Sequence, residues 1–193
     1  TRWLGFGPTK SKAVSICRNR WVLSVDTDEV ITPELQKAIS ELPENPTQAA
    51  FTVNRLSRFL GHWIHHCGWH PENVVRLFDT RRAGFNDKPV HESIVAEGPV
   101  GSLPGLLQHY TYETMEQYIE KLNRYTTLAA REMHADGRSV SLPMAVVRSQ
   151  AAFWRMWVLQ GGLWDRWPGF VLCLSSSFYV LSKYTKLWRL GQR

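Results

Sequence analysis

Cysteine is scarce. Cys17, Cys67 and Cys173 are odd in number and no two stand in C-x-x-C spacing, which argues against both a disulfide framework and a four-thiolate zinc site. A reducing compartment suits such a chain. Long apolar runs are lacking too: Phe170 to Leu181 contains three serines and falls short of the roughly 20 residues that span a bilayer. No transmembrane helix is expected. No internal repeat, low-complexity tract or secretory leader is visible, and the chain opens on Thr1 inside a region that reads as structured, as a portion of a longer protein would. Acidic residues are outnumbered, 17 Asp and Glu against 23 Lys and Arg, for a net charge of +6. That balance favours an anionic partner: a nucleotide, a nucleic acid or an acidic membrane surface.

What is present reads as globular. With 44% hydrophobic and 21% charged residues over 193 positions, the chain can bury a core and fits one domain with a C-terminal appendage. Ala13, Val14 and Cys17 predict a helix over 10–18, and Trp21 to Val25 a buried strand. Thr32-Pro33 is a helix start, followed by Leu35, Ala38, Ile39 and Leu42 on one face until Pro43 and Pro46. Strands are expected over Ala50 to Arg58, Val74 to Phe78, near Ile94 and over Leu107 to Tyr110, with a polar turn from Thr80 to Asn86. Thr114-Met115-Glu116-Gln117 is a capping-box pattern, and Tyr118, Leu122, Tyr125, Ala129 and Met133 continue it as an amphipathic helix ended by Gly137. Beyond Pro143 the composition turns aromatic and basic together.

Asp26-Thr27-Asp28-Glu29 follows the strand at 21–25, at the end where open α/β sheets gather ligands. If the chain stays extended past Val25, Asp26 and Asp28 face one side and can share a hard cation, with Glu29 behind them. The plainer reading is a solvated turn whose carboxylates cap the helix near Pro33. His62, His65, His66, Cys67 and His70 invite a zinc site, but only one clump exists, where structural zinc uses separated pairs. The segment Gly61 to Pro71 reads better as a groove in which Trp faces stack on a sugar ring and imidazoles bond hydroxyls. A surface loop anchored by buried Trp is the bland alternative. His91-Glu92 offers a carboxylate able to act as a base, with Asp87 a second candidate; a surface Glu paired with Lys88 or Arg82 is the ordinary alternative. The tail is either an interfacial membrane segment or a helical pair packing its aromatics inward.

Gly5-Phe6-Gly7-Pro8-x-Lys10, the Trp21 to Glu29 stretch, Gly68-Trp69-His70-Pro71, Arg76-Leu77-Phe78, Val90-His91-Glu92 and Gly161-Gly162-Leu163-Trp164-Asp165 together resemble the family 2 inverting glycosyltransferases of the lipopolysaccharide core glucosyltransferase type. The resemblance runs over nearly the whole chain. It implies an α/β fold, a partial GT-A (Rossmann-like) sheet with flanking helices, in which 1–142 form the C-terminal part of the transferase domain and 143–193 a helical, membrane-interfacial appendage. It implies a UDP-sugar donor, with glucose the expected hexose, and an inner-core heptose of lipopolysaccharide as acceptor. A divalent metal, Mg²⁺ or Mn²⁺, would bridge Asp26 and Asp28 to the diphosphate. Glu92 would be the base, and Lys10, Asp26, Trp69, Arg76 and His91 would bind substrate. The implied place is peripheral, on the cytoplasmic face of the bacterial inner membrane. Thr27 stands where family members more often carry Ala. The upstream uracil-binding strands have no counterpart before Trp3, so this portion alone is expected to bind donor weakly. Two rivals are a basic, aromatic single-strand nucleic-acid binder, which the acidic cluster disfavours because it repels phosphate, and a non-catalytic membrane-associated module.

Overall fold

The computed structural model describes residues 6–86 and 93–192. In chain order the elements are α1 (Phe6–Ser15), β1 (Trp21–Leu23), β2 (Glu29–Ile31), α2 (Pro33–Ser40), β3 (Ala50–Phe59), β4 (His62–Trp63), β5 (Glu72–Asp79), β6 (Ala83–Phe85), β7 (Ile94–Ala96), β8 (Val100–Tyr112), α3 (Met115–Ala135), α4 (Leu142–Trp154), a π-helix (Arg155–Leu159), a 3₁₀ turn (Gly162–Asp165) and α5 (Arg166–Leu190). The class is α/β, as expected. The chain divides into two compact units, Thr1–Arg55 with Glu72–His109 and Leu56–Pro71 with Tyr110–Arg193.

In the first unit the sheet runs β1-β5-β3-β8-β2, with β6 and β7 as a separate hairpin. β1 pairs antiparallel with β5, β5 with β3, and β2 with β8. Leu35, Phe51, Val53, Leu77, Leu103 and Leu107 form the core. α2 starts where Thr32 predicts: its Oγ1 accepts from Leu35 N–H at 3.3 Å, and the same hydroxyl donates to Leu106 C=O at 3.0 Å, fastening the helix start to β8. Gly105 beside it has φ +90, and a Cβ there would lie 2.4 Å from Leu35 N, so only glycine allows this approach.

Three expectations need correction here. β1 is a half-buried strand at the edge of the described sheet, not a buried one, and it ends at Leu23. The chain does not stay extended past Val25: Glu29 N–H donates to Asp26 C=O at 3.0 Å across a turn. An edge strand has one neighbour only, and after Ser24 N–H bonds Arg76 C=O at 2.8 Å the turn gains burial of the Glu29 side chain. The polar stretch after Thr80 contains β6, which sequence reading treats as turn throughout.

Asp79, fully buried at the end of β5, accepts from Arg20 Nε at 3.0 Å and Nη2 at 2.7 Å and from Arg81 N–H at 3.1 Å. The Arg20 hydrogen bonds outweigh burial and hold the carboxyl below its ordinary value. A depressed folded-state pKa stabilises above the unfolded carboxylate range and loses that stabilisation as pH falls through the folded value. Asp79→Asn is expected to destabilise at pH 7 by about 2 kcal/mol and to flatten the acid limb of stability against pH. Urea titrations between pH 2 and 7 check this; parallel acid limbs in both proteins would refute it.

In the second unit α3, α4 and α5 pack around Phe59, Ile64, Cys67, Tyr118, Leu122, Met156, Leu172 and Cys173. Thr114 caps α3 by accepting from Gln117 N–H at 3.3 Å, and Gln117 Oε1 accepts from Glu113 N–H at 3.0 Å. The buried residues of α3 are Tyr118, Leu122, Thr126 and Ala130, so the stripe passes through Thr126 instead of Tyr125 and Ala129. The reason is Lys186 of α5, whose Nζ donates to Asn123 O at 3.0 Å, Asn123 Oδ1 at 2.8 Å, Thr126 Oγ1 at 2.7 Å and Thr127 Oγ1 at 2.9 Å. Burial lowers the pKa of this lysine. Gly137 follows the helix with φ +75, as a C-terminal glycine does. No helix among the described residues is long and apolar enough to cross a membrane.

Candidate functional site

In the first unit the structure gathers Lys10, Asp26 and Arg76. Lys10 Nζ of α1 meets Asp26 Oδ1 at 2.9 Å, and Arg76 Nη2 meets Asp26 Oδ2 at 2.9 Å. Arg76 Nη2 also bonds Glu29 Oε1, and Arg55 Nη1 reaches the same oxygen at 3.2 Å. Arg55 clasps Glu72, its cross-strand neighbour on β5, with Nε and Nη2 at 3.0 and 2.7 Å. Glu29 Oε2 accepts from Asp26 N–H at 3.0 Å, tying the turn to the ion pairs. The Glu29 side chain is 0% exposed and that of Arg76 9%, while Asp26 at 34% and Lys10 at 24% face outward. A cavity of about 440 Å³ opens there, lined among others by Lys10, Asp26, Arg55, Arg76 and Phe85. Lys10 Nζ stands 5.6 Å from the Phe85 ring centre.

Burial would raise the Asp26 pKa, but the Lys10 hydrogen bond and the charges of Arg76 and Lys10 outweigh it, so the carboxyl titrates below its usual range. Asp28 does not join the Asp26 cluster through any described bond. Its Oδ2 faces His109 Nε2 at 3.3 Å. Burial first, then the Arg55 charge, lowers the His109 pKa against the pull of Asp28 and Glu29. Arg76 Nε is buried with no hydrogen-bond partner among the described residues. His91, Glu92 and Asp87 lie outside the described residues.

Trp69 belongs to the second unit, half-buried, with its ring 6.0 Å from Phe59 and 6.2 Å from Tyr112. The histidine segment around it is fastened by Asp165, whose carboxylate accepts from His65 N–H at 3.2 Å and His66 N–H at 2.8 Å and faces His66 Nδ1 at 2.9 Å. Cys67, at φ +60, sets its Sγ 3.7 Å from Cys173 Sγ. The 65–67 segment that leads into Gly68-Trp69-His70-Pro71 is therefore tied to Asp165 and Cys173. No group of three His, Cys, Asp or Glu among the described residues is arranged to hold a metal.

Arg55, Glu72 and His109 escape sequence reading. The available signal was Arg55 at mid-strand, a charge that burial permits only when paired.

The chain is 26% identical over 196 residues to the lipopolysaccharide core biosynthesis glycosyltransferase LpsC of Rhizobium meliloti, covering 97% of this chain and 70% of that protein. It is 28% identical over 151 residues to uncharacterized glycosyltransferases of Rickettsia typhi and Rickettsia prowazekii, covering 72% of this chain and 52% of theirs. The chain thus spans about half the length of the Rickettsia relatives. No family model matches it. Its sequence is thus similar to those of bacterial glycosyltransferases, in line with the resemblance of its motifs.

Proposed function

We propose that this chain is the part of an inverting glycosyltransferase that holds the diphosphate of a UDP-sugar, and that the whole protein transfers a hexose, with glucose favoured, to an inner-core heptose of lipopolysaccharide. One observation carries the reading: Lys10, Arg55 and Arg76 converge on a cavity of about 440 Å³ beside Asp26. Guanidinium and ammonium groups are what diphosphate oxygens require, and the unpartnered buried Nε of Arg76 leaves donor capacity unused. The relative named for lipopolysaccharide core biosynthesis supports the acceptor.

Mg²⁺ is commonly held by one or two carboxylates plus substrate phosphates, not by an all-protein cage; Asp26 and Asp28 would be those carboxylates, with Asp26 bound here to Lys10 and Arg76 and Asp28 facing His109. When bound, such an ion neutralises charge on the departing diphosphate. Lys10, on a flexible stem, counters Asp26 now and can follow the phosphates. Arg76 and Arg55 hold the Glu29 carboxylate, and with it the turn, in place. Glu92 is the proposed base on motif position, deprotonating the acceptor hydroxyl as it attacks in line. In the complete protein Asp28→Ala is expected to cut metal-dependent turnover about 100-fold or more without moving the melting midpoint. Unchanged kinetics would remove the metal role.

The second unit favours a peripheral membrane contact. Trp164 and Trp167 are 70% and 77% exposed and Leu159 81%, near Arg155 and Arg166 in sequence, and exposed aromatic and basic residues together suit an anionic lipid surface. The proposed place is the cytoplasmic face of the inner membrane.

A further inference from the structure

Two hollows of the second unit share a wall. One, of about 370 Å³, is lined by Trp69, Tyr112, Tyr118, Arg155, Gln160, Ser176 and Tyr179 among others, and the other, of about 310 Å³, by Tyr112, Tyr118, Lys121, Tyr125 and Tyr179. Tyr112, Tyr118 and Tyr179 are common to both, so the hollows form one aromatic groove with Arg155 in one compartment and Lys121 in the other. No carboxylate is among the described lining residues of either. Each compartment falls in or near the range of small-molecule sites, roughly 300–1,000 Å³.

We infer that this groove binds a sugar chain carrying phosphate groups, with the rings facing the sugars and Lys121 and Arg155 taking the phosphates. The inference deepens the proposed function, on which it rests, by assigning an acceptor subsite to the second unit. The rings stand at angles, Tyr112 to Tyr118 at 68° and 5.0 Å and Trp69 to Tyr112 at 39° and 6.2 Å. Such a wall suits puckered sugar rings better than a flat base, which prefers parallel faces. Phenols, the Gln160 amide and the Ser176 hydroxyl supply donors and acceptors for sugar hydroxyls. Burial pushes the Tyr118 pKa up to about 12 and raises those of Tyr112 and Tyr179, so all three remain donors. Lys121 Nζ lies 4.9 Å over the Tyr112 ring, which places a cation at the aromatic wall without a carboxylate to neutralise it there. Backbone supports the groove as well. Gly68 has φ +73, and a Cβ on it would strike the Gln160 side chain at 2.6 Å, so glycine lets the loop close against this polar wall.

The test titrates this chain, without nucleotide or metal, with deacylated lipopolysaccharide core oligosaccharide, either phosphorylated or stripped of phosphate, following tryptophan fluorescence and heat. The phosphorylated form should bind, and Lys121→Ala/Arg155→Ala should weaken it about tenfold or more, as loss of charge-assisted hydrogen bonds does. The stripped form should bind the unsubstituted chain more weakly and be indifferent to the substitutions. Both side chains are exposed, and unchanged circular dichroism checks the fold. Absence of oligosaccharide binding, or equal binding of both forms by both proteins, overturns the inference. So does a variant defect seen only with anionic vesicles or with UMP. Because no donor is present, a negative result leaves the Asp26 site untouched, and a failed transfer assay leaves the groove untouched.

Discussion

Arg76→Ala is expected to cost the first unit about 3–5 kcal/mol, the range for stripping one partner from a buried ion pair. Arg76 is 7% exposed as a residue and bonds both Asp26 Oδ2 and Glu29 Oε1. Glu29 has a side chain with no exposure, so without Arg76 its charge rests on Arg55 alone, at 3.2 Å. A carboxylate short of a partner in that position is drawn towards water, which opens the turn at 26–28. Denaturant unfolding at pH 7 checks the size. Arg76→Ala combined with Glu29→Gln should recover part of the loss, since the second change removes the charge the first one strands. If the single variant unfolds at the parent midpoint, the ion pair has no structural role. The proposed donor site would fall with the turn, so weaker diphosphate binding is expected in the same variant.

Gly169→Ala should have a comparable effect for a steric reason. Alanine in a helix ordinarily gains about 1 kcal/mol over glycine. At Gly169 of α5 the added Cβ would lie 2.2 Å from Gly162 C=O and 2.8 Å from Asp165 Cβ. Backbone must shift, at about 3 kcal/mol or more, and it shifts the loop carrying the Asp165 carboxylate that receives His65 and His66 N–H. Thermal melts give the loss, and Gly84→Ala, with nothing within 4 Å of its Cβ, is the control expected to be nearly neutral. A Gly169→Ala protein as stable as its parent would show that the helix start can move away from the loop.

Local signals were the legible part of the sequence. Thr32 and Thr114 announce their helices because a cap is a short-range hydrogen bond, and Ala50 to Arg58 reads as a strand because its side chains alternate. What sequence conceals is long-range pairing. Glu29, adjacent to the conspicuous Asp26 and Asp28, turns out to be the buried anchor only because Arg55 and Arg76 arrive from β3 and β5. The α3 stripe slips to Thr126 because a lysine 60 residues later needs oxygen partners, and no periodicity within α3 contains that fact. Motif resemblance names Lys10, Asp26 and Arg76 as substrate-binding residues but not that both cations meet the Asp26 carboxylate, and the carboxylate pair that looked equivalent in sequence is split, Asp26 to two cations and Asp28 to His109.

The π-helix at Arg155–Leu159 changes phase within a single turn. A π turn holds more residues than the 3.6 of an α turn, and Gln160 N–H closes this one on Arg155 C=O at 2.9 Å. Arg155, at φ −58 and ψ −48, keeps the direction of α4 and lines the aromatic groove, while the extra residue falls between it and Gln160, which lines the same groove. Chain length at this corner is thus a variable of its own: deleting one residue of 156–159 would rotate Gln160 off the groove while leaving every contributing side chain chemically intact.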